Sequence, residues 1–320
     1  MSLSSHLRQR LFGISPAEAT FGRRGFPSVE PAVQTHLERA AQTFVQGYNL
    51  ALAQPESGPL AAELHRIEQE FQGFAFEGAA MGLALLDRVT PWRRSRWSQF
   101  LAGPGDAHAY MVHVGAGWVA ARLPWLRRRL EQWIAGFDPL LRWLIVDGYG
   151  FHEGFFAWPQ AIRNHAVPPR LSEYGRRAFD QGLGRSLWFF AGADADRVAA
   201  EVASFPEARR GDLYSGVGLA CAYAGGANAD MVRRLRAVAG PYWTHAAQGA
   251  AFAAQARRRA GNLMPHTHWT CEGLCGMPAE AAAALTDECL AGLPTDRPET
   301  DYEQWRMRIQ QRMAESAAGR

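Results

Sequence analysis

Residues 141–158, LRWLIVDGYGFHEGFFAW, constrain this chain more tightly than any other stretch. The run is apolar except for Asp147, His152 and Glu153, and it is loosened by Gly148, Gly150 and Gly154. A buried carboxylate without a partner is costly, so Asp147 and Glu153 must be paired, hydrogen-bonded or set against a cavity. A helix through this stretch carries three glycines, each about 1 kcal/mol worse than alanine in a helix interior, a cost that points to close packing or a site. The stretch reads as one wall of a pocket, with Tyr149, Phe151 and Phe155 in its lining.

The rest of the composition is that of an ordinary globular chain, 48% apolar and 20% charged over 320 residues. All of the basic residues are arginine, interleaved with acids to a net charge of +3, which does not indicate a nucleic-acid surface. No stretch reaches the ~18 uninterrupted apolar residues of a membrane span, and the polar start MSLSSHLRQR lacks a secretory core, so a cytoplasmic location is expected. In that setting Cys221, Cys271, Cys275 and Cys289 read as free thiols or metal ligands.

Along the chain, Ser15-Pro16-Ala17-Glu18 has the pattern of a capping box. Val33, Leu37, Ala40, Ala41, Phe44 and Tyr48 then recur at helical spacing. A second helix is expected over Leu60–Glu70, leading into FQGFAFEGAAMGLALLD, where Gly73, Gly78 and Gly82 suit a buried helix in tight contact with a neighbour. Residues 93–105 read as basic, turn-rich surface, and Pro124 as a break in the helix that follows. Alternating strand patterns are scarce, so the expected fold is all-α.

The later part of the chain echoes the earlier. GDLYSGVGLACA follows GFAFEGAAMGLA at an offset of 138 residues; FDQGLGRSL echoes FVQGYNLAL, YWTHAAQGAA echoes YMVHVGAGWV, and CEG at 271–273 echoes HEG at 152–154. The shared order implies two pseudo-symmetric helical halves, residues 1–168 and 169–315, packed around a central apolar pocket, with a flexible tail at 316–320.

Three constellations could carry chemistry. Asp147, His152 and Glu153 form an acid/base set, with Glu272 and His245 expected opposite them; the alternative is a satisfied polar knot between helices. Phe151, Phe155, Trp118, Trp188, Tyr149 and His113 supply a surface suited to a long apolar ligand, although most such residues are core. His266, His268, Cys271 and Cys275 in PHTHWTCEGLC are the densest group of metal-ligand types, yet they match no standard zinc spacing and have no second knuckle. Asp194 and Asp196 read as a helix cap, and no aspartate-rich motif of terpene cyclases occurs. No nucleophile-elbow, Walker A, HExxH or complete dinucleotide motif is present.

Taken together, GISPAEATFGRRGF, GFAFEGAAMGLALLD, MVHVGAGW, DGYGFHEGFF, FDQGLGRSLWF and YSGVGLACAYAGG resemble a bacterial family known as domain of unknown function 1702. The resemblance runs over nearly the whole chain and implies a place in enediyne or other polyketide gene clusters, without assigning catalytic residues. The expected function is an enzyme acting on a hydrophobic polyene by acid/base-assisted cyclisation or isomerisation. The alternatives are a non-catalytic binding or scaffold protein for the polyketide synthase or its product, a noncanonical terpene-type cyclase, and a metalloenzyme using the His266–Cys275 cluster. No cofactor is otherwise implied.

Overall fold

A computed structural model describes residues 3–90, 92–293 and 297–319. Among these the chain is all-helical, 76% helix with no strand. Seven long helices form a consecutive series: α1 (Pro31–Ala53), α2 (Gln72–Val89), α3 (Ala109–Arg122), α4 (Trp143–Phe156), α5 (Glu173–Phe190), α6 (Glu207–Ala224) and α7 (Trp243–Arg259). An eighth, α8 (Pro298–Ala318), lies against α7.

Each helix of the series packs on the next, and the contact is the same every time. A Cβ on Gly182 of α5 would come 1.8 Å from the Asp147 carbonyl of α4, and one on Gly150 of α4 would come 2.0 Å from the Phe179 carbonyl of α5. Residues 147 and 150 therefore face 182 and 179, so the two helices run in opposite directions and touch backbone to backbone. Contact at that distance leaves no room for any side chain, which is why the helix tolerates glycine there despite the cost. The arrangement recurs with Gly78, Gly115, Gly148, Gly182, Gly216 and Gly249, each against a carbonyl of the preceding helix, with Val45 at the matching place in α1. These positions are spaced 33, 37, 33, 34, 34 and 33 residues apart.

The repeating unit is thus one helix, not one half of the chain. The 138-residue offset spans four such units, which explains why the echoes kept their order. Helices α4 and α5 flank residue 168 and pack as intimately as any other neighbours, so the series runs through that point without a break. The echo between residues 152–154 and 271–273 has no counterpart in the series, because Cys271–Cys275 is a short π-helical turn outside it.

The segments before and after the series pack against it. Near the N-terminus, Ser15 accepts a hydrogen bond from the Ala17 N–H and starts a 3-10 turn, Pro16–Ala19, where the capping box was expected to open a helix. Phe26 then packs edge-on to Phe155 and Phe190. At the other end α8 buries Tyr302, Trp305 and Arg306, and it stays helical to Ala318, where a flexible tail was expected.

Two local expectations need correction. The second helix ends at Leu64, short of Glu70. Residues 93–105 include a helix, Arg96–Leu101, with Arg96, Trp97 and Phe100 buried. The Asp87 carboxylate accepts from the Arg96 and Trp97 backbone N–H groups and holds that helix down. No helix among the described residues is long and apolar enough to cross a membrane.

Candidate functional site

These close-contact positions form the waist of the series, and the residue before each is buried and, in five helices, polar: Glu77, Asp147, Gln181, Ser215 and Gln248, with Phe44 (before Val45) and Val114 completing the set. One register in seven successive helices therefore turns polar groups towards the same interior region. They are wired to one another. Arg185, one turn after Gln181 on α5, donates to Asp147 Oδ1 at 2.5 Å, and Gln181 donates to Asp147 Oδ2 at 3.0 Å. Ser215 Oγ lies 2.8 Å from Gln248 Oε1, which also accepts from Arg306 at 3.3 Å.

Glu77 is the loosely held member. It accepts from Trp118 Nε1 at 3.1 Å, and its other oxygen is 3.9 Å from Arg185, whose guanidinium is already engaged with Asp147. Burial pushes the Glu77 carboxyl up to about 7, with Arg185 and Trp118 only partly opposing it. A carboxyl in that range holds its proton near neutral pH and can give it up without a large cost in either direction.

Arg185 separates two interior cavities. One is walled by Glu77 and by the rings of Phe44, Phe74, Trp118, Phe151 and Phe155. The other is walled by Asp147, Leu144, Tyr110, Tyr223, Tyr302 and Trp305. Each has a free volume of about 30 Å³, enough for a water molecule or two, so a larger ligand must displace lining side chains. In the second cavity the Tyr223 hydroxyl is buried without a hydrogen-bond partner among the described residues. Burial pushes the Tyr223 hydroxyl up to about 12, so it remains a donor.

A family model for "Protein of unknown function (DUF1702)" matches residues 3–313. The chain belongs to the DUF1702 family. No curated protein matches it, and no solved structure does. The DUF1702 match takes in all seven helices of the series and most of α8, so both cavities and the residues between them lie within the family's own extent.

In this DUF1702 chain the residues named from sequence fall in several places. Asp147, Trp118, Phe151 and Phe155 meet at the two cavities. His152 packs on the Trp118 and Phe156 rings, with Nδ1 3.3 Å from Glu153; burial lowers its proton affinity although Glu153 opposes this. Glu153 and Tyr149 instead line an outer groove on α4. Trp188 is core, donating to the Gly225 carbonyl. His113 bonds the Ala109 carbonyl through Nδ1 and packs on Trp97. His245 bonds Gln310, and it precedes its waist glycine by four residues where His113 precedes by two, so the two histidines are not equivalent. Glu272 is exposed, because the turn at Cys271–Cys275 sends Cys271, Leu274 and Cys275 inward and Glu272 out. It does not face Asp147, His152 and Glu153.

The four metal-ligand candidates have separate partners. The Cys271 and Cys275 thiols point at the Ala250 and Ala247 carbonyls. The Cys275 sulfur and burial hold the Cys271 thiol well above its ordinary range. His266 bonds the Tyr223 carbonyl, and His268 is half exposed beside Glu280. Among the described residues no group of three or more His, Cys, Asp or Glu is placed to hold a metal ion. The aspartates at 194 and 196 behave as a cap: Asp194 accepts from the Asp196 and Arg197 N–H groups.

Glu77 was not singled out from sequence, although its setting repeats that of Asp147. Both are acids immediately before a glycine in an apolar helix, FEGA against VDGY.

Proposed function

We propose that this DUF1702 chain is an enzyme that isomerises or cyclises a hydrophobic polyene by proton transfer, with Glu77 as general acid and base. The substrate class is a polyene of the kind that bacterial polyketide pathways build, those of the enediynes among them. The observation that carries the proposal is an under-compensated carboxyl, poised near neutral pH, in the wall of an aromatic cavity.

The chemistry balances without another reactant. The Glu77 proton goes to one carbon of a double bond, whose π pair forms the new C–H bond and leaves a cation on the neighbouring carbon. The faces of Phe44, Trp118 and Phe151 stabilise that cation. Loss of a different proton to the Glu77 carboxylate gives an isomer; attack by a second double bond before that loss closes a ring. Arg185, neutralised and aimed by Asp147, supports the carboxylate between the two transfers. Trp118 fixes its orientation.

Because the resting cavity is small, substrate entry displaces the covering groups, foremost Phe156 and the segment around Ala19. The test is to incubate the protein with a polyketide polyene extract in D2O and follow products by mass spectrometry. Deuterium at carbon in a new product, lost in Glu77→Gln, supports the proposal; product formation unchanged in that variant removes it. Under the alternative reading, a non-catalytic binding or scaffold protein, the same experiment returns the polyene unchanged and bound.

A further inference from the structure

On the outer side of α4, a groove of about 420 Å³ runs between that helix and the loop that leads to α5. Its polar lining is Arg127, Arg128, Arg170, Tyr149, Glu153 and Gln160. Its remaining walls are apolar, Val167, Pro168 and Phe179 among them. Some arginines of this chain bond main-chain carbonyls, Arg210 and Arg257 among them, and others are matched with carboxylates: Arg177 and Arg306 with Asp212, Arg209 with Asp180, Arg163 with Glu201. Among the described residues none of Arg127, Arg128 and Arg170 has a carboxylate in ion-pair range, and Glu153 is bonded to His152 instead. The Tyr149 side chain lines the same groove as Arg127.

The loop that supplies Arg170 is held in an uncommon shape. His165 and Arg170 both have left-handed backbones, at φ of 50° and 76°, two of the three non-glycine residues so placed among those described. Side chains at such positions cost conformational energy, and they persist where surrounding contacts hold them. Arg209 donates to the His165 carbonyl at 2.8 Å, which fixes the start of this loop and the direction from which Arg170 arrives.

We infer that this groove binds an anionic amphiphile, a phosphate or carboxylate head on an apolar stem. Three guanidinium groups offer forked donors that match the oxygens of either head, and the Tyr149 side chain adds a hydroxyl in the same groove. The apolar walls take the stem. The concave shape favours a free amphiphile over a bilayer, which would meet a protruding apolar surface. Glu153 tempers the positive field, so its removal strengthens the binding of an anion. The inference stands apart from the chemistry proposed at Glu77, since no groove residue lines the Glu77 cavity.

The test is calorimetric titration of the full chain with dodecyl phosphate, dodecanoate, dodecanol and inorganic phosphate, each below its micellar concentration. The two anionic amphiphiles are expected to bind at least about tenfold more tightly than dodecanol. The exposed double variant Arg128→Gln/Arg170→Gln loses that advantage while binding dodecanol as before, and Glu153→Gln binds the anions more tightly than the parent. Equal affinity for dodecanol and the anions, an unchanged double variant, or weaker anion binding by Glu153→Gln overturns the inference. Inorganic phosphate that binds as tightly as dodecyl phosphate overturns the role of the apolar stem. Binding to anionic vesicles without binding to monomeric dodecyl phosphate overturns the choice of a free ligand. Circular dichroism on each variant separates loss of binding from loss of fold.

Discussion

Two buried acid–arginine clusters in this chain are built from similar parts and behave in opposite ways. At the C-terminal end Asp212 accepts from Arg306 at 2.6 Å and from Arg177 at 3.0 Å, and Glu303 is within 3.2 Å of both arginines. Two arginines and their hydrogen bonds overcome the burial that opposes them, and hold the Asp212 carboxyl below its ordinary range. At the waist Glu77 has one indole N–H and the far side of an arginine committed elsewhere, and burial wins. The lesson is that burial does not decide what an acid does. Its supply of donors does: Asp212 is saturated and ties α8 to α6, while Glu77 is left able to exchange a proton.

The comparison breaks most readily at Asp212. Replacing it with alanine strands Arg306 and Arg177 beside Glu303 alone, and should destabilise the fold by about 3–5 kcal/mol. Denaturant unfolding measures this, and a loss below ~1 kcal/mol would mean that the cluster does not fasten α8. Next is the waist that brings the polar residues together. Gly182→Ala puts a methyl group against the Asp147 carbonyl, and the helices must part, costing roughly 1–3 kcal/mol. The same substitution at Gly240, which has nothing within 4 Å, should disturb no packing, though its left-handed backbone (φ of 53°) resists a side chain.

The pH dependence sharpens the contrast further. A carboxyl raised from 4.5 to about 7 makes the folded state hold its proton longer than the unfolded chain. Its contribution is full below pH 4.5 and falls away as pH rises towards 7, by on the order of a few kcal/mol. Asp212 has the reverse sign: its contribution is full above pH 3.8 and lost as pH falls through its lower folded value. Stability of Glu77→Gln measured between pH 4.5 and 7.5 should therefore decline less than that of the parent, keeping only the share due to Asp180, and an identical slope would contradict the assignment. The smallest effect is expected at Glu272. As an exposed side chain, its change to alanine should move stability by no more than about 0.5 kcal/mol and leave product formation intact.

The helical class was legible because helical spacing and embedded glycines dominate the sequence. Asp147, Trp118, Phe151 and Phe155 were also legible, since a charge or a run of rings inside an apolar helix has few structural explanations. The repeat was visible only at four times its true unit. Single helices near 34 residues apart share little beyond one glycine, too little to read without seeing the contacts. Glu77 shares the local setting of Asp147, an acid before a glycine in an apolar helix, but that setting does not reveal how few donors it has. Its meaning comes from Arg185, which is more than a hundred residues away and already taken by Asp147. Glu272 misled because the two cysteines, four residues apart, share the inward face of their turn and leave Glu272 on the exposed side.

The central claim is that Glu77 carries a proton near neutral pH. Infrared difference spectroscopy between the parent and Glu77→Gln at pH 6 tests it directly, because a protonated carboxyl has a carbonyl stretch distinct from that of a carboxylate. Asp180, pushed up to about 6 by burial, contributes equally to both proteins and cancels. The account expects one protonated carboxyl band in the parent that is missing from the variant. A difference spectrum showing only the loss of a carboxylate would contradict it.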